Sequence, residues 1–239
     1  MRERETTVQL KMGKSYTRRE LLSVLSSNAK VLKESSFQWK LGDYLKSGSL
    51  VKTGYDEYRV PGATTKTGYQ PQYSELAANI IAILSDAYPF VSFTVFETVL
   101  MNEFLNHLIA QNTVFVQVEK ESSSFVFRTL QEAGYQNVMY KPSAKDRALY
   151  WVKNCIIVTD MISEAPCDRR HPHFITLEKM LVDMYCDKFI EGTYSSAEFP
   201  NVLRLAAERY LLDRTRMLRY ARRRNKEKEL RSILGEIGQ

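Results

Sequence analysis

The sequence predicts a mixed α/β (α+β) protein: an N-terminal winged helix-turn-helix, then a mixed α/β domain with a helical, Arg-rich C-terminus. Three observations predict it. Between 16 and 60, two helically spaced runs precede two short strand-like runs around Thr53-Gly54-Tyr55-Asp56. Between 90 and 160, runs rich in aromatic and β-branched residues alternate with helically spaced ones, the pattern of a sheet with packed helices. From 175 onwards the spacing is helical throughout. The expected organisation is a winged helix-turn-helix at 1–60, a linker at 61–75 rich in Gly, Pro, Thr and Gln, and an α/β domain at 76–239.

Taken in order, "SYTRRELLSVLSSN" reads as a first helix, with Thr17 and Glu20 as a capping box and Leu21, Leu22, Val24 and Leu25 as its apolar side. In "KVLKESSFQWKLGDYLKSG", Ser35 or Ser36 caps a second helix whose buried face is Phe37, Leu41, Tyr44 and Leu45, and Gly48 ends it. "SLVKTGYDEYRV" supplies a hairpin. Strands are expected at 90–98, 113–120, 137–142 and 154–160. Helices are expected at 100–111, with Leu100, Phe104, Leu105, Leu108 and Ile109 spaced for one face, and at 123–135, ended by Gly134. "TLEKMLVDMYCDKF", a helix near 195–210 and "LLDRTRMLRYARRRNKEKELRSIL" complete the chain.

Composition narrows the function classes. Of 239 residues, 44% are hydrophobic and 26% charged, enough for a core and ordinary for a globular chain. No run is long enough to span a membrane, and the first eleven residues lack the apolar stretch of a signal peptide. Three cysteines, none in a CxxC pair, do not make a disulfide framework, so a reduced, cytoplasmic protein without membrane contact is expected. The charge is uneven. Residues 1–60 carry 12 Lys/Arg against 7 Asp/Glu and residues 204–231 carry 11 against 4, around a centre with 11 against 16. Two basic ends have the footprint of phosphate-binding surfaces.

In a helix-turn-helix the second helix meets base edges. With Phe37, Leu41 and Leu45 inside, Gln38, Trp39, Lys40 and Asp43 face solvent; Gln pairs with adenine, and Lys with guanine or phosphate. Ser35 and Ser36 stand at the helix start, where backbone N–H groups favour phosphate. Lys52 and Arg59 lie on the wing. At the other end, Arg204, Arg209, Arg214, Arg216, Arg219, Arg222, Arg223 and Arg224 surround a helix with Leu203, Ala206, Ala207, Tyr210, Leu211, Met217, Leu218 and Ala221 on one side. Arg216, Arg219, Arg222, Arg223 and Arg224 are the expected partner or nucleic-acid surface, or else they pair with the acidic centre of the chain itself.

No catalytic residue, cofactor or metal is expected. Cys167, His171, His173 and Cys186 have ligand chemistry but no zinc-finger spacing. Asp86, Glu97 and Glu119 suit a metal-dependent nuclease, but Lys120 directly follows Glu119 and so projects from the opposite strand face. No Gly-rich phosphate loop or G-x-S-x-G elbow is present.

"FQWKLGDYLKSGSLVKTGYDEYRV", "GYQNVMYKP", "ISEAP", "TLEKMLVDMY" and "RYARRR", in this order and spacing, resemble the AbiEi-like antitoxins of type IV (abortive-infection AbiE) toxin–antitoxin systems, over about residues 16–231. The resemblance implies a winged helix that binds double-stranded operator DNA and represses its own operon; dimerisation to a homodimer, or paired binding on inverted repeats, is expected because two-fold operators mirror two-fold proteins. It also implies a C-terminal domain that counteracts a nucleotidyltransferase-like toxin, without necessarily touching it. By position it sets Ser36, Gln38, Trp39 and Lys40 on the recognition helix and Lys52 and Arg59 on the wing; Gly42 and Asp43 depart from the larger or more basic residues of the family. Glu178, Lys179 and Asp183 are candidates for a functional surface or a buried ion pair. Two other readings remain: a restriction-endonuclease-like nuclease, and an RNA-binding protein using the arginine helix.

Overall fold

The computed structural model describes residues 10–11, 13–26, 33–46, 49–60, 66–143, 145–146, 149 and 152–237. The fold is mixed α/β, in two compact units: residues 1–68 with 209–215, and residues 69–208 with 216–239.

The first unit contains β1 (Ser15–Thr17), α1 (Arg18–Leu25), α2 (Glu34–Lys46), β2 (Val51–Lys52) and β3 (Glu57–Arg59). The strands form an antiparallel sheet in the order β1-β3-β2. Thr17 and Glu20 make the expected capping box, and Asp56 accepts a hydrogen bond from the Arg18 N–H at 3.2 Å. Helix α2 starts at Glu34, two or three residues earlier than a cap at Ser35 or Ser36 sets it, so both serines lie in its first turn and are not its cap. Phe37 and Leu41 are buried and Tyr44 half-buried, but Leu45 is 36% exposed. They pack with Tyr16, Leu21, Leu25, Leu50, Tyr58 and Val60 into a small core. Gly48 and residues 61–65 fall outside the described residues. A parallel bridge from Thr67 to Tyr210, with the Leu211 N–H on the Thr67 carbonyl at 3.0 Å, brings the 209–215 stretch into this unit.

The second unit has a four-stranded sheet in the order β4-β5-β7-β6: β4 (Phe93–Glu97), β5 (Thr113–Val118), β6 (Val138–Tyr140) and β7 (Cys155–Asp160). β4 is antiparallel to β5, while β5, β7 and β6 are parallel. All six residues of β5 are buried, as expected of a strand covered on both faces. Its alternation separates the layers. Val114, Val116 and Val118 meet α3 (Glu75–Ala87) and α4 (Ser123–Glu132) through Ala77, Ile80, Leu84, Val126 and Leu130. Phe115 and Gln117 face the other way, toward α5 (Leu177–Cys186) and α6 (Lys188–Glu191). Helices α7 (Phe199–Arg209), α8 (Arg214–Arg223) and α9 (Glu227–Ile237) follow.

Four expectations are corrected. Residues 69–74 are no linker: the Tyr73 hydroxyl donates to the Val95 carbonyl (2.6 Å) and accepts the Ile175 N–H (2.9 Å), and Ser74 caps α3. Residues 100–111 do not form a helix. A 3-10 turn ends at Glu103, and the Asn102 side chain then clamps the loop by bonding both the N–H and the carbonyl of Ile109. Leu108 is accordingly 75% exposed. The arginine-rich end is not one helix, since it breaks at residues 210–213 and again at Asn225, whose φ is +56°. Finally, the 15–17 segment is a strand, not the start of a helix.

Candidate functional site

Helix α2 carries the first cluster. Ser35, Ser36, Gln38, Trp39, Lys40 and Asp43 are all exposed, with Trp39 at 71%. At about 100° per residue, Gln38 and Lys40 stand about 200° apart around the axis, on opposite flanks of Trp39. The Gln38 amide donates to Glu34 at 3.2 Å, and Glu34 also takes the Arg18 guanidinium, which lies over the Phe37 ring. That hydrogen bond to Glu34 raises the pKa of Arg18 and fixes the start of α2 against that of α1.

On the ribbon, the pleat divides the two expected wing residues. Lys52 pairs with Tyr58, which pairs with Tyr16, whereas Arg59 pairs with Val51 and Ser15. Directly paired residues share a face, so Lys52 and Arg59 project from opposite faces. Lys52 lies on the Tyr58 side, with its ammonium 6.0 Å from that ring. The two do not form one patch.

The C-terminal arginines are engaged by their own chain. Arg222 holds Glu227 through two hydrogen bonds of 2.6 and 3.1 Å. Hydrogen bonds from Arg222 and Arg231 pull the Glu227 carboxyl down to about 2. Arg219 and Arg223 lie 3.7 Å from Glu164, Arg223 also donates to Ser163, and Arg216 donates to the Cys167 carbonyl. Arg224 is half-buried and reaches Asp183 at 3.2 Å. Its place on a partner-binding surface is therefore corrected: it is an internal ion-pair residue. Arg216 is likewise half-buried, and only Arg219, Arg222 and Arg223 of the five are exposed.

Lys179 and Asp183 are not surface groups either. Both are fully buried, 2.5 Å apart, one helical turn apart on α5. Gln117 accepts from Lys179 and donates to Asp183 (3.3 Å), and the Tyr220 hydroxyl donates to Asp183 at 2.8 Å. Burial, reinforced by Asp183, raises the Tyr220 pKa, so it remains a donor. One carboxylate thus meets two cations, a phenol and an amide, joining β5, α5 and α8. Glu178 is also buried.

The carboxylates considered for a nuclease do not converge. Glu97 is fully buried: one oxygen accepts the Ser74 N–H (2.6 Å), the other the Ser74 hydroxyl (2.6 Å) and the Asn112 amide (2.7 Å). Glu97 pairs with Val114, at the start of β5, while Glu119 follows the end of that strand. Five residues of strand, roughly 17 Å, separate the two. Asp86 is exposed near the end of α3. His173 stacks on Phe93 with centroids 3.8 Å apart, and His171 stacks on Phe174. Among the described residues no three His, Cys, Asp or Glu groups are placed to hold a metal ion. No described helix is long and apolar enough to cross a membrane.

A second polar cluster went unrecognised in the sequence. At the carboxyl ends of β6 and β7, Asp160 accepts from Lys141 (2.7 Å) and from the buried Ser123 hydroxyl (2.7 Å), and Tyr140 stands 3.4 Å from Ser123. Burial raises the Asp160 pKa, but these hydrogen bonds outweigh it and hold the carboxyl below its ordinary value. Lys141 has a φ of +44°, uncommon for a residue with a side chain. Its signal was the strand-end position of each residue, visible only once the strands are aligned.

No curated protein matches the chain. The model of one family, described as a family of unknown function (DUF6577), matches residues 36–239, from the first turn of α2 onward, and the chain belongs to that family.

Proposed function

We propose that the chain is a DNA-binding regulator whose first unit is a winged helix that reads double-stranded DNA through α2. One observation carries this reading: α2 buries Phe37 and Leu41 against the sheet and leaves Ser35, Ser36, Gln38, Trp39 and Lys40 exposed along its N-terminal half. A pair of helices followed by a hairpin, with the preceding strand added in the order β1-β3-β2, supports the same arrangement. Fields from the basic first sixty residues favour phosphate. The ribbon contributes through Lys52 or Arg59 but not through both from one face.

The resemblance to AbiEi-like antitoxins extends the proposal. The regulator represses its own operon, as a homodimer on a two-fold operator, and counteracts a nucleotidyltransferase-like toxin through the larger unit. The scattered placement of Glu97, Glu119 and Asp86 speaks against these three as a shared metal site.

The test is a salt titration of binding to the chain's own upstream DNA against a scrambled duplex, with wild type and a Gln38→Ala/Lys40→Ala double variant. Sequence-selective binding that the variant loses supports the proposal. Equal, weak binding to both duplexes refutes it.

A further inference from the structure

We infer that α2 reads the major groove with its outward ridge, Ser35–Trp39–Gly42: Trp39 lies against the C5-methyl groups of thymines, and Gly42 lets the base edges come close. The inference rests on the DNA-binding reading above and names the bases that the site takes.

Helical geometry sets the ridge. Phe37 and Leu41 point inward, and Trp39, midway between them in sequence, points away from both. Ser35 lies four residues before Trp39 and Gly42 three after, so the three are neighbours along one line. Gln38 and Lys40 flank this line on either side, both exposed, with the Gln38 amide turned to Glu34. The centre of the helix face is thus a large, exposed apolar ring where an ordinary surface helix carries a polar side chain.

Gly42 is an independent observation. Glycine weakens a helix interior relative to alanine, so its presence calls for a reason. Packing among the described residues supplies none, because, its own helix backbone aside, a Cβ built on Gly42 would meet none of their atoms within 4 Å. Close approach of another molecule to the helix backbone supplies one. The neighbouring Asp43 is exposed and acidic, which suits a base amino group and is repelled by phosphate. That places the ridge over the floor of the groove and not along the backbone.

The charge complements this occupant. The first sixty residues carry 12 Lys/Arg against 7 Asp/Glu, and exposed Lys33 and Lys40 belong to α2 or its approach. The major groove accepts an α-helix, and thymine is the base that presents a methyl group there. A tryptophan ring on the contacting ridge therefore selects thymine by removing that methyl from water.

The experiment uses the full-length chain. Binding duplexes are selected from a random library, then resynthesised with deoxyuridine replacing thymidine one position at a time. Wild type should lose about fourfold in affinity for each contacted methyl removed. Trp39→Ala should bind the thymine duplex more weakly and show no difference between thymine and uracil. Gly42→Ala should melt no lower than wild type yet bind about tenfold more weakly, the loss of one base contact. Equal wild-type affinity for thymine and uracil at every position would overturn the inference while leaving DNA binding in place. So would a Trp39→Ala variant that binds as wild type does, which would assign the ridge to a protein partner. Wild-type binding by Gly42→Ala would overturn the close approach. Failure of wild type to enrich any duplex would overturn the DNA-binding reading and this inference with it.

Discussion

Lys40 and Gln38 on α2 stand in solvent beside an exposed tryptophan, whereas Arg224 on the C-terminal side lies against a fully buried aspartate and Arg222 is gripped by Glu227. By sequence the two stretches look alike, since both carry an excess of basic residues. By structure they differ in what surrounds the charge. In the larger unit the cations meet carboxylates of the same chain, supplied by Asp183, Glu164 and Glu227. On α2 the exposed face offers mixed polar groups around an apolar centre. Local excess of charge therefore measures the surface offered to a partner only after internal pairing has been subtracted.

Removing the internal partner of the buried cations should do the most damage. Asp183→Ala leaves the fully buried Lys179 without its carboxylate, and should destabilise the larger unit by about 3–5 kcal/mol. Hydrogen exchange followed residue by residue should show β5, α5 and α8 losing protection together, with α1 and α2 unaffected. The reciprocal substitution, Phe37→Ala, removes a fully buried ring from the small core. A loss of about 3 kcal/mol is expected, with exchange confined to the first unit and loss of DNA binding.

Glu97→Gln sharpens the contrast between a structural and a chemical carboxylate. The new amide must face one of three donors now satisfied by Glu97, at a cost of about 2 kcal/mol, read from denaturant unfolding. On the DNA side, Lys40→Ala should lower the salt slope of binding by about 1, while Arg222→Ala should leave it unchanged. A slope that falls equally in both would mean that Arg222, despite its hold on Glu227, meets DNA phosphate as Lys40 does.

The smallest effect is one of pH. Glu227 titrates at about 2 when folded and near 4.5 otherwise, so its contribution is complete above about 4.5 and disappears as pH falls toward 2. Melting curves between pH 7 and 2 should show a smaller loss in Glu227→Gln than in wild type, the remainder belonging to the other paired carboxylates such as Asp160.

Elements with a strong local pattern were legible in the sequence. The Thr17–Glu20 capping box, the strands at 93–97, 113–118 and 155–160, and α4 with Gly134 behind it (φ +91°) lie where the pattern sets them. Elements fixed by distant partners were not. β1 is three residues long and exists through its pairing with β3, some forty positions away. Helix α3 has a clear signal, Ser74 as cap with Ala77, Ile80 and Leu84 on one face, but the linker expected up to residue 75 hid its start. At 100–111 helical spacing was present, yet the two Asn102–Ile109 bonds impose a loop. The same logic governs the sites. The exposed residues of α2 follow from its apolar face alone, whereas the Asp183 network assembles β5, α5 and α8, which no local pattern relates.

Both units are discontinuous in sequence, and this bears on synthesis. The first unit draws on residues 209–215, and the buried acid of the larger one awaits Tyr220 and Arg224. Until residues 209–224 have emerged from the ribosome, neither unit has all its parts, and Lys179 and Asp183 have only each other and Gln117. The sheet of the larger unit has α3, α4, α5 and α6 to cover it before then, so it is the buried charge, not the apolar face, that waits for the later residues.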